Sequence, residues 1–311
     1  MESIPFLTYF ARHPRFALVP ATFLLAFTGI LYLASGTTPA TASAYRCLLA
    51  VPLLVVLARI EDRSAGPRSW RARRWSLLAG VFFAADLIFF YHGVLLMGAG
   101  LARVMSNLQV VIVLVVSWLV LRERPSGAQL LGVPLALMGV VLISGVLGGA
   151  VYGRDPRLGV LVGIVVAASY AGFLLLIRKG RDRHHVAGPI LDSSIACALT
   201  SIVVGLAVGE FQPWPGLESM AILLLMGLGP QLAAGILIAV ALPRLPAVTT
   251  SLLLLIQPVL AVVLAMLIIN ERPSPMQLAG VGLVLAGVTL GSLPLSRIAA
   301  RARRSGAETA G

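Results

Sequence analysis

Ten long apolar segments make up most of this chain, and they constrain its fold more than any other feature. Each approaches the roughly 20 residues that a helix needs to cross the hydrocarbon core of a bilayer. Hydrophobic residues form 59% of the chain and charged residues 12%, so a water-soluble enzyme is excluded. Because lipid offers the backbone no hydrogen-bond partners, we expect the segments to be helices. The predicted spans are 16–34, 38–58, 75–97, 100–121, 127–147, 158–177, 186–208, 217–241, 246–269 and 275–295.

The basic residues predict how these spans are oriented. If the N-terminus is cytoplasmic, 19 of the 24 Lys and Arg residues fall in cytoplasmic segments. An excess of basic residues in cytoplasmic loops is the usual pattern in membrane proteins. Both termini of this multi-pass protein are therefore predicted to be cytoplasmic, in a plasma (inner) membrane. The formal net charge of +12 reflects this topology and gives no support to a nucleic-acid partner.

Two stretches of 36 residues, beginning at Gln109 and Gln257, align without gaps at an offset of 148 residues and match at 18 positions. The matches include the motif E-R-P-S-x-x-Q, which begins at Glu123 and again at Glu271. Each copy contains five spans, and an odd number turns the second copy upside down. Inverted repeats of this kind are typical of secondary transporters. The repeat also requires segment 16–34 as a true span, although its flanking residues would fit a signal peptide.

We therefore predict an all-α polytopic membrane protein with ten transmembrane helices in two inverted five-helix repeats. The first repeat is expected over residues 1–149. The second is expected over residues 150–311, and it ends in a basic C-terminal tail.

These features give the chain a specific resemblance. It resembles the drug/metabolite transporter superfamily, in particular its EamA-type ten-helix transporters, whose halves each close with E-R-x-x-x-x-Q-x-x-G. The resemblance covers essentially the whole chain and implies a carrier of amino acids, small metabolites or toxic amphiphiles, often moved outward. Such proteins usually have a proline shortly before the signature in both halves. Here Pro258 follows Gln257 but Val110 follows Gln109, so a helix break is expected in the second half only.

The repeated motif itself is interpreted as structural. Ser126 with Gln129, and Ser274 with Gln277, have the spacing of helix capping boxes. The prolines of the motif end the preceding helix. The motif's glutamates, Glu123 and Glu271, are expected at the membrane surface.

Polar residues within the spans are better candidates for a substrate site, because a polar group in hydrocarbon needs a cavity or a partner. Gln109 and Gln257 lie near the predicted midplane, and Pro258 would free a carbonyl beside them. Each glutamine could equally hydrogen-bond a neighbouring helix.

Asp86 is the acid nearest mid-depth in the first half, and it could bind a proton or a substrate ammonium. It could instead form a salt bridge with Arg46 or Arg103. These two arginines, with His92, could hold a substrate carboxylate or act as interfacial anchors. Further candidates for lining the path are Tyr91, Asn107, Trp118 and Tyr170.

The leading functional hypothesis is a secondary transporter of small amphipathic metabolites such as amino acids, working by alternating access through a midplane cavity. Export rests on the resemblance alone, and Asp86 is the candidate for proton coupling, although an uncoupled facilitator fits equally well. The alternatives are a promiscuous toxic-compound efflux pump and, more distantly, an intramembrane enzyme acting on lipid. The chain has no nucleotide-binding P-loop, so direct ATP use is not expected. No cofactor or metal site is predicted, and the sequence does not give the oligomeric state.

Overall fold

The computed structural model describes residues 14–109, 111–112, 127–144, 147, 152–180, 185–241 and 256–292. Within these ranges the regular structure is entirely helical, and helices occupy part or all of each predicted span. In the first half, spans 1 to 5 contain Pro14–Ala26 with Thr28–Ser35, Pro39–Leu48 with Val51–Ala65, Trp70–Met97, Ala99–Ser106, and Gly127–Ser144. In the second half, spans 6 to 10 contain Pro156–Lys179, Ala187–Ala207, Leu217–Met226 with Gly227–Ala233 and Ala234–Ala241, Ile256–Ile268, and Pro275–Ser292.

Six of these spans have helices that are long and apolar enough to cross a membrane by themselves, namely spans 1, 2, 3, 6, 7 and 8. Shorter apolar helices cover 131–144 in span 5, 256–268 in span 9 and 275–290 in span 10. The described part of span 4 ends at residue 112. The predicted all-α membrane fold is therefore confirmed, whereas the boundary between repeats at residue 149 stays a prediction.

Span 8 departs from the continuous helix that was predicted over 217–241. Its middle, Gly227–Ala233, is a π-helix that contains Pro230. Proline has no backbone N–H and its ring crowds the preceding turn, so the regular hydrogen-bond ladder is interrupted there. Single π-helical turns inside α-helices are often found at functional sites. Pro258 is the third residue of the helix Ile256–Ile268, and the residues before Ile256 lie outside those that the structure describes. The helix break expected at Pro258 therefore stays a prediction.

Packing between the halves follows a pseudo-two-fold pattern. Spans 2 and 7, 4 and 9, and 5 and 10 pack against each other in pairs, and the two members of each pair occupy equivalent places in the two repeats. The contact between spans 3 and 6 is matched by the contact between spans 8 and 1. Exchanging the two halves therefore preserves these contacts, as two copies of one five-helix unit require.

Glycines show that the equivalent spans run in opposite directions. An ideal Cβ on Gly287 would lie 2.5 Å from the carbonyl oxygen of Gly132, and one on Gly139 would lie 2.6 Å from that of Gly280. Residue numbers therefore rise along span 5 as they fall along span 10. Gly132 and Gly280, like Gly139 and Gly287, are matched positions of the repeat. The two-fold thus exchanges these two contacts, and the inverted arrangement of the two repeats is confirmed.

We expect Gly287→Ala to destabilise the protein, because the added methyl group would overlap the backbone of span 5. Overpacking of this kind typically costs about 1–3 kcal/mol. The matched control is Gly282→Ala in the same helix, because Gly282 is exposed and an added Cβ there meets nothing within 4 Å. Thermal unfolding of the purified protein in detergent measures both variants. Equal melting temperatures for Gly287→Ala and the unmodified protein would contradict the close approach of spans 5 and 10.

Candidate functional site

A buried group of polar side chains joins the two halves of the protein. The guanidinium of Arg46 donates from Nε to the side-chain oxygen of Gln231 at 3.2 Å and from an NH group to the hydroxyl of Tyr91 at 3.3 Å. The amide nitrogen of Gln231 in turn donates to the hydroxyl of Ser194 at 2.9 Å. All four side chains are buried. Arg46 and Tyr91 belong to the first half, and Ser194 and Gln231 belong to the second.

Local structure explains how Gln231 reaches Arg46. Gln231 directly follows Pro230 in the π-helical turn of span 8, where the wider backbone turn changes which residues face inward. Gly227 in the same turn lies against span 2, because an ideal Cβ there would be 3.1 Å from the carbonyl oxygen of Arg46. The small residue lets the two backbones approach, and the glutamine then spans the remaining distance.

Further charged and aromatic residues surround this group. Asp86 is buried and lies within electrostatic range of both Arg103 and Arg46, but no ion pair shorter than 4.0 Å joins it to either in the described part of the chain. Arg103 sits over the face of Phe90, with its guanidinium carbon 4.2 Å from the ring centroid. Tyr170 lies within electrostatic range of the same three charges and keeps part of its surface exposed.

We call these residues the central cluster: Arg46, Asp86, Tyr91, Arg103, Tyr170, Ser194 and Gln231. Its charged members lie near the middle of their predicted spans or towards the connection between spans 3 and 4. Asp86 is 11 residues from the end of the helix Trp70–Met97, or about 16 Å along the axis. A ring stack joins Tyr91 to Tyr32, with 4.3 Å between centroids.

The structure thus places five of the residues singled out from the sequence close together. Arg46, Asp86, Tyr91, Arg103 and Tyr170 all belong to the central cluster; a contact of Asp86 with the two arginines was one of the alternatives, and the two tyrosines join them. The anticipated salt bridge of Asp86 is replaced by longer-range attraction to two arginines at once. Their role in binding stays a prediction.

Four other predicted residues have different surroundings. His92 is partly exposed and lies 3.5 Å from the carboxylate of Glu210, which ends span 7. The side-chain nitrogen of Asn107 donates to the carbonyl oxygen of Arg103 at 2.9 Å, so this hydrogen bond stays within the same span. Gln257 and Pro258 lie in the first turn of the helix Ile256–Ile268, half-buried and buried respectively.

Among the described residues, the side-chain oxygen of Gln109 is buried and has no hydrogen-bond partner. Whether Gln109 lines a cavity or bonds a neighbouring helix stays a prediction. Trp118 lies outside the described residues. Among the residues that the structure describes, no group of three His, Cys, Asp or Glu side chains is placed to hold a metal ion.

Sequence reasoning missed Gln231 and Ser194. Gln231 had a usable signal, since it is an intramembrane amide that directly follows a proline in the glycine-rich stretch G-L-G-P-Q. The repeat could have indicated Ser194, because it stands 148 residues after Arg46 and is therefore its counterpart in the second half. A serine in a membrane helix is too common to attract attention without that relation.

The second copy of the E-R-P-S motif has the structural role expected for its serine and glutamine, whereas the capping box predicted for Ser126 and Gln129 stays a prediction because Ser126 lies outside the described residues. The backbone N–H of Gln277 donates to the hydroxyl of Ser274 at 3.2 Å, and the backbone N–H of Ser274 donates to the side-chain oxygen of Gln277 at 3.0 Å. This reciprocal pair is the predicted capping box. Gln277 also binds the backbone of Tyr152, in the connection between spans 5 and 6, through its side-chain nitrogen at 3.0 Å and its side-chain oxygen at 2.8 Å.

Glu271 lies in the connection between spans 9 and 10, and its position at the membrane surface stays a prediction. Its carboxylate is buried and accepts backbone N–H groups of Ala99 and Gly100, the latter at 3.2 Å, at the start of span 4. A carboxylate at this position complements the free donors and positive dipole of a helix N-terminus. Burial raises the pKa of Glu271 above its usual value, and the two N–H donors oppose that change.

A second glutamate has a similar role on the opposite side. Glu61, at the end of span 2, accepts backbone N–H groups of Val186, Ala187 and Gly188 at 2.9–3.1 Å, where span 7 begins. Nearby, buried Asp192 forms an ion pair with Arg68. Each glutamate therefore extends from one half of the protein and caps a helix of the other.

Comparisons with known proteins agree with this architecture. The model of the EamA-like transporter family matches the chain twice, over residues 16–145 and 157–293. A protein of Archaeoglobus fulgidus described as an uncharacterized transporter is 29% identical over 179 residues, which cover 57% of this chain and 60% of that protein. The chain thus matches less than two thirds of that relative's length.

A solved crystal structure of a protein of unstated function superposes with a TM-score of 0.61 at 18% identity. The superposition covers 92% of this chain and 99% of the other chain. At that level of identity the likeness concerns the fold alone.

We expect Glu271→Ala to destabilise the protein, because two buried N–H groups of span 4 would lose their acceptor. Loss of a capping side chain typically costs about 0.5–2 kcal/mol. Arg272→Ala is the matched control, since its exposed side chain is the immediate neighbour. Thermal unfolding in detergent should separate the two variants, and a control that is as unstable as Glu271→Ala would argue against the capping role.

Proposed function

We propose that this chain, which belongs to the EamA-like transporter family, is a secondary carrier that exports small amphipathic metabolites such as amino acids. The observation that carries the proposal is the buried contact of Arg46, from the first half, with Gln231, from the second. In transporters built from inverted repeats, substrate sites lie at the repeat interface near mid-depth, often beside a broken helix. The central cluster has all three properties, since Gln231 lies in the π-helical break of span 8. Alternating access would then move one half against the other around this cluster.

The chemistry of the cluster suits a substrate with both charged and apolar parts. The guanidinium groups of Arg46 and Arg103 can donate to a carboxylate, and the carboxylate of Asp86 can accept from an ammonium. Aromatic rings provide the apolar surroundings, with Phe83 stacked on Phe173 at 4.8 Å. We also propose Asp86 as the group that couples transport to protons, because it is a buried acid. A facilitator without coupling would not need a buried acid.

Family membership also bears on the alternatives. The EamA-like family is one of transporters, so the chain is a transport protein and not a lipid-acting enzyme. Promiscuous efflux of lipophilic cations would use the same fold. The buried Arg46 and the half-buried Arg103 repel such cations, and for this reason we prefer metabolites that carry a carboxylate.

The first test is Gln231→Ala, with Gln212→Ala as the control because Gln212 is an exposed glutamine of an outer connection. Removing Gln231 takes a partner from both Arg46 and Ser194. A hydrogen bond to a charged group contributes about 1.5–3 kcal/mol, so the transport rate should fall by about tenfold or more. The measurement is counterflow of a labelled amino acid into preloaded proteoliposomes without an ion gradient.

Both variants should elute as folded protein from gel filtration, although Gln231→Ala should melt at a lower temperature because it leaves a buried donor of Arg46 without its acceptor. Undiminished counterflow by folded Gln231→Ala would contradict the proposed site. No counterflow of any amino acid by the unmodified protein would contradict the proposed substrate class.

The proposed orientation places both termini in the cytoplasm of a plasma (inner) membrane. Arg272→Cys, in the connection between spans 9 and 10, and Ala65→Cys, at the end of span 2, then lie on opposite sides. Both positions are exposed, and the native residues Cys47 and Cys197 are buried and can be replaced by serine for the assay. A membrane-impermeant maleimide should label Arg272→Cys in intact cells and Ala65→Cys only after lysis. The reverse pattern would overturn the orientation.

A further inference from the structure

The central cluster contains more positive than negative groups. Its charged members are Arg46, Arg103 and Asp86, so two cations face one carboxylate. The other acid inside the predicted spans, apart from Glu218 at the very start of span 8, is Asp192, and Asp192 is already paired with Arg68 and lies near Arg73. Among the residues that the structure describes, one positive charge in the cluster therefore has no counter-charge.

The contacts of the two arginines confirm this excess. Arg46 donates to Gln231 and Tyr91, which are both neutral. Arg103 makes one long contact to the carbonyl of Leu25, at 3.4 Å, and otherwise lies on the ring of Phe90. Its Nε is buried and has no hydrogen-bond partner among the described residues.

An arginine cannot relieve such a situation by losing its proton, because its pKa is far above physiological pH. A buried charge without a counter-ion is costly in a membrane and marks a substrate or ion pathway. The guanidinium group presents its donors in a planar fork that fits a carboxylate and forms strong, charge-assisted bonds with it. The ligand that best satisfies the cluster is thus an anion with a planar acidic group.

We propose that the central cluster selects its substrate by net negative charge, binding the carboxylate of an amphipathic monoanion at Arg103 and Arg46. This inference rests on the proposed function and deepens it. A monoanion would neutralise the excess charge, a zwitterionic amino acid would leave it in place, and a cationic amine would increase it. The stacked rings of Tyr32 and Tyr91, and of Phe83 and Phe173, suit an aromatic body.

The experiment uses three compounds that share one ring: 3-phenylpropionate (an anion), phenylalanine (a zwitterion) and phenethylamine (a cation). Binding to the purified full-length protein is measured by calorimetry, and counterflow is measured in proteoliposomes. We expect 3-phenylpropionate to bind most tightly and the amine at least about tenfold more weakly, as expected for a lost charge-assisted hydrogen bond. Tighter binding of the amine, or binding of none of the three, would overturn the inference.

Variants assign the preference to particular residues. Arg103→Gln should weaken binding of 3-phenylpropionate by about tenfold or more and reduce the difference between anion and amine. Arg103→Lys keeps the charge but not the fork, so it should retain the order of the three compounds at lower affinity. Asp86→Asn should strengthen binding of the anion. Arg154→Gln, at an exposed arginine of the outer connection, is the control and should change nothing.

The two measurements separate this inference from the proposed function. Tight, charge-selective binding without counterflow would support the inference and contradict the transport proposal. Counterflow that favours the amine would support the transport proposal and overturn the charge preference. An unchanged order of affinities in Arg103→Gln would also overturn it.

Discussion

A polar group inside a bilayer has to find its partners within the protein, and this requirement shapes the centre of the molecule. Arg46 lies within the apolar bundle, where neither water nor lipid tails can satisfy its donors. Its partners come from two other spans, Tyr91 in span 3 and Gln231 in span 8. The contact with Gln231 brings the two halves together at one point, and Ser194 completes it from span 7. A deeply buried polar network between halves is therefore part of the fold as well as the candidate site.

The same requirement explains the connections at the two sides of the membrane. Helix ends leave backbone N–H groups without partners, and two glutamates supply acceptors across the repeat interface. Glu61 caps span 7 and Glu271 caps span 4. Gly98, at φ +94°, precedes span 4, and an ideal Cβ there would lie 2.8 Å from the Glu271 carboxyl group. Each half of the protein is thus completed by charged side chains of the other, which favours their assembly as one unit.

Much of the fold could be predicted from the sequence because it depends on local patterns. Hydrophobic length gave the spans, an odd number of spans per repeat gave the inversion, and the Ser274–Gln277 spacing gave the capping box. The burial of Glu271 could not be predicted, since it depends on the approach of span 4 from the other repeat. The turn at Gly227–Ala233 was missed for another reason: proline was considered at Pro258 and not at Pro230.

The candidate site was predicted only in part as an arrangement, since Asp86 was placed near Arg46 or Arg103 but Tyr91 and Tyr170 were named as separate residues. Asp86, Arg46 and Arg103 were chosen because charges are rare inside membranes, and that criterion identified three members of the central cluster. It selected His92 as well, which instead lies beside Glu210 at the end of span 7. Neutral partners such as Ser194 and Gln231 carry no such signal, because their importance comes from the arginine they support. Distances between spans depend on tertiary packing, which a single sequence does not contain.

The central claim is that both halves of the chain build one transport site, and a double-mutant cycle between Arg46 and Gln231 tests it most directly. Counterflow rates would be measured for Arg46→Gln, Gln231→Ala, the double variant and the unmodified protein, all checked for folding. Residues in direct contact typically show coupling energies of about 0.5–3 kcal/mol. The account predicts that the double variant loses little more activity than the more damaging single variant. Independent, multiplicative losses would show that the two residues act separately and would contradict a shared site.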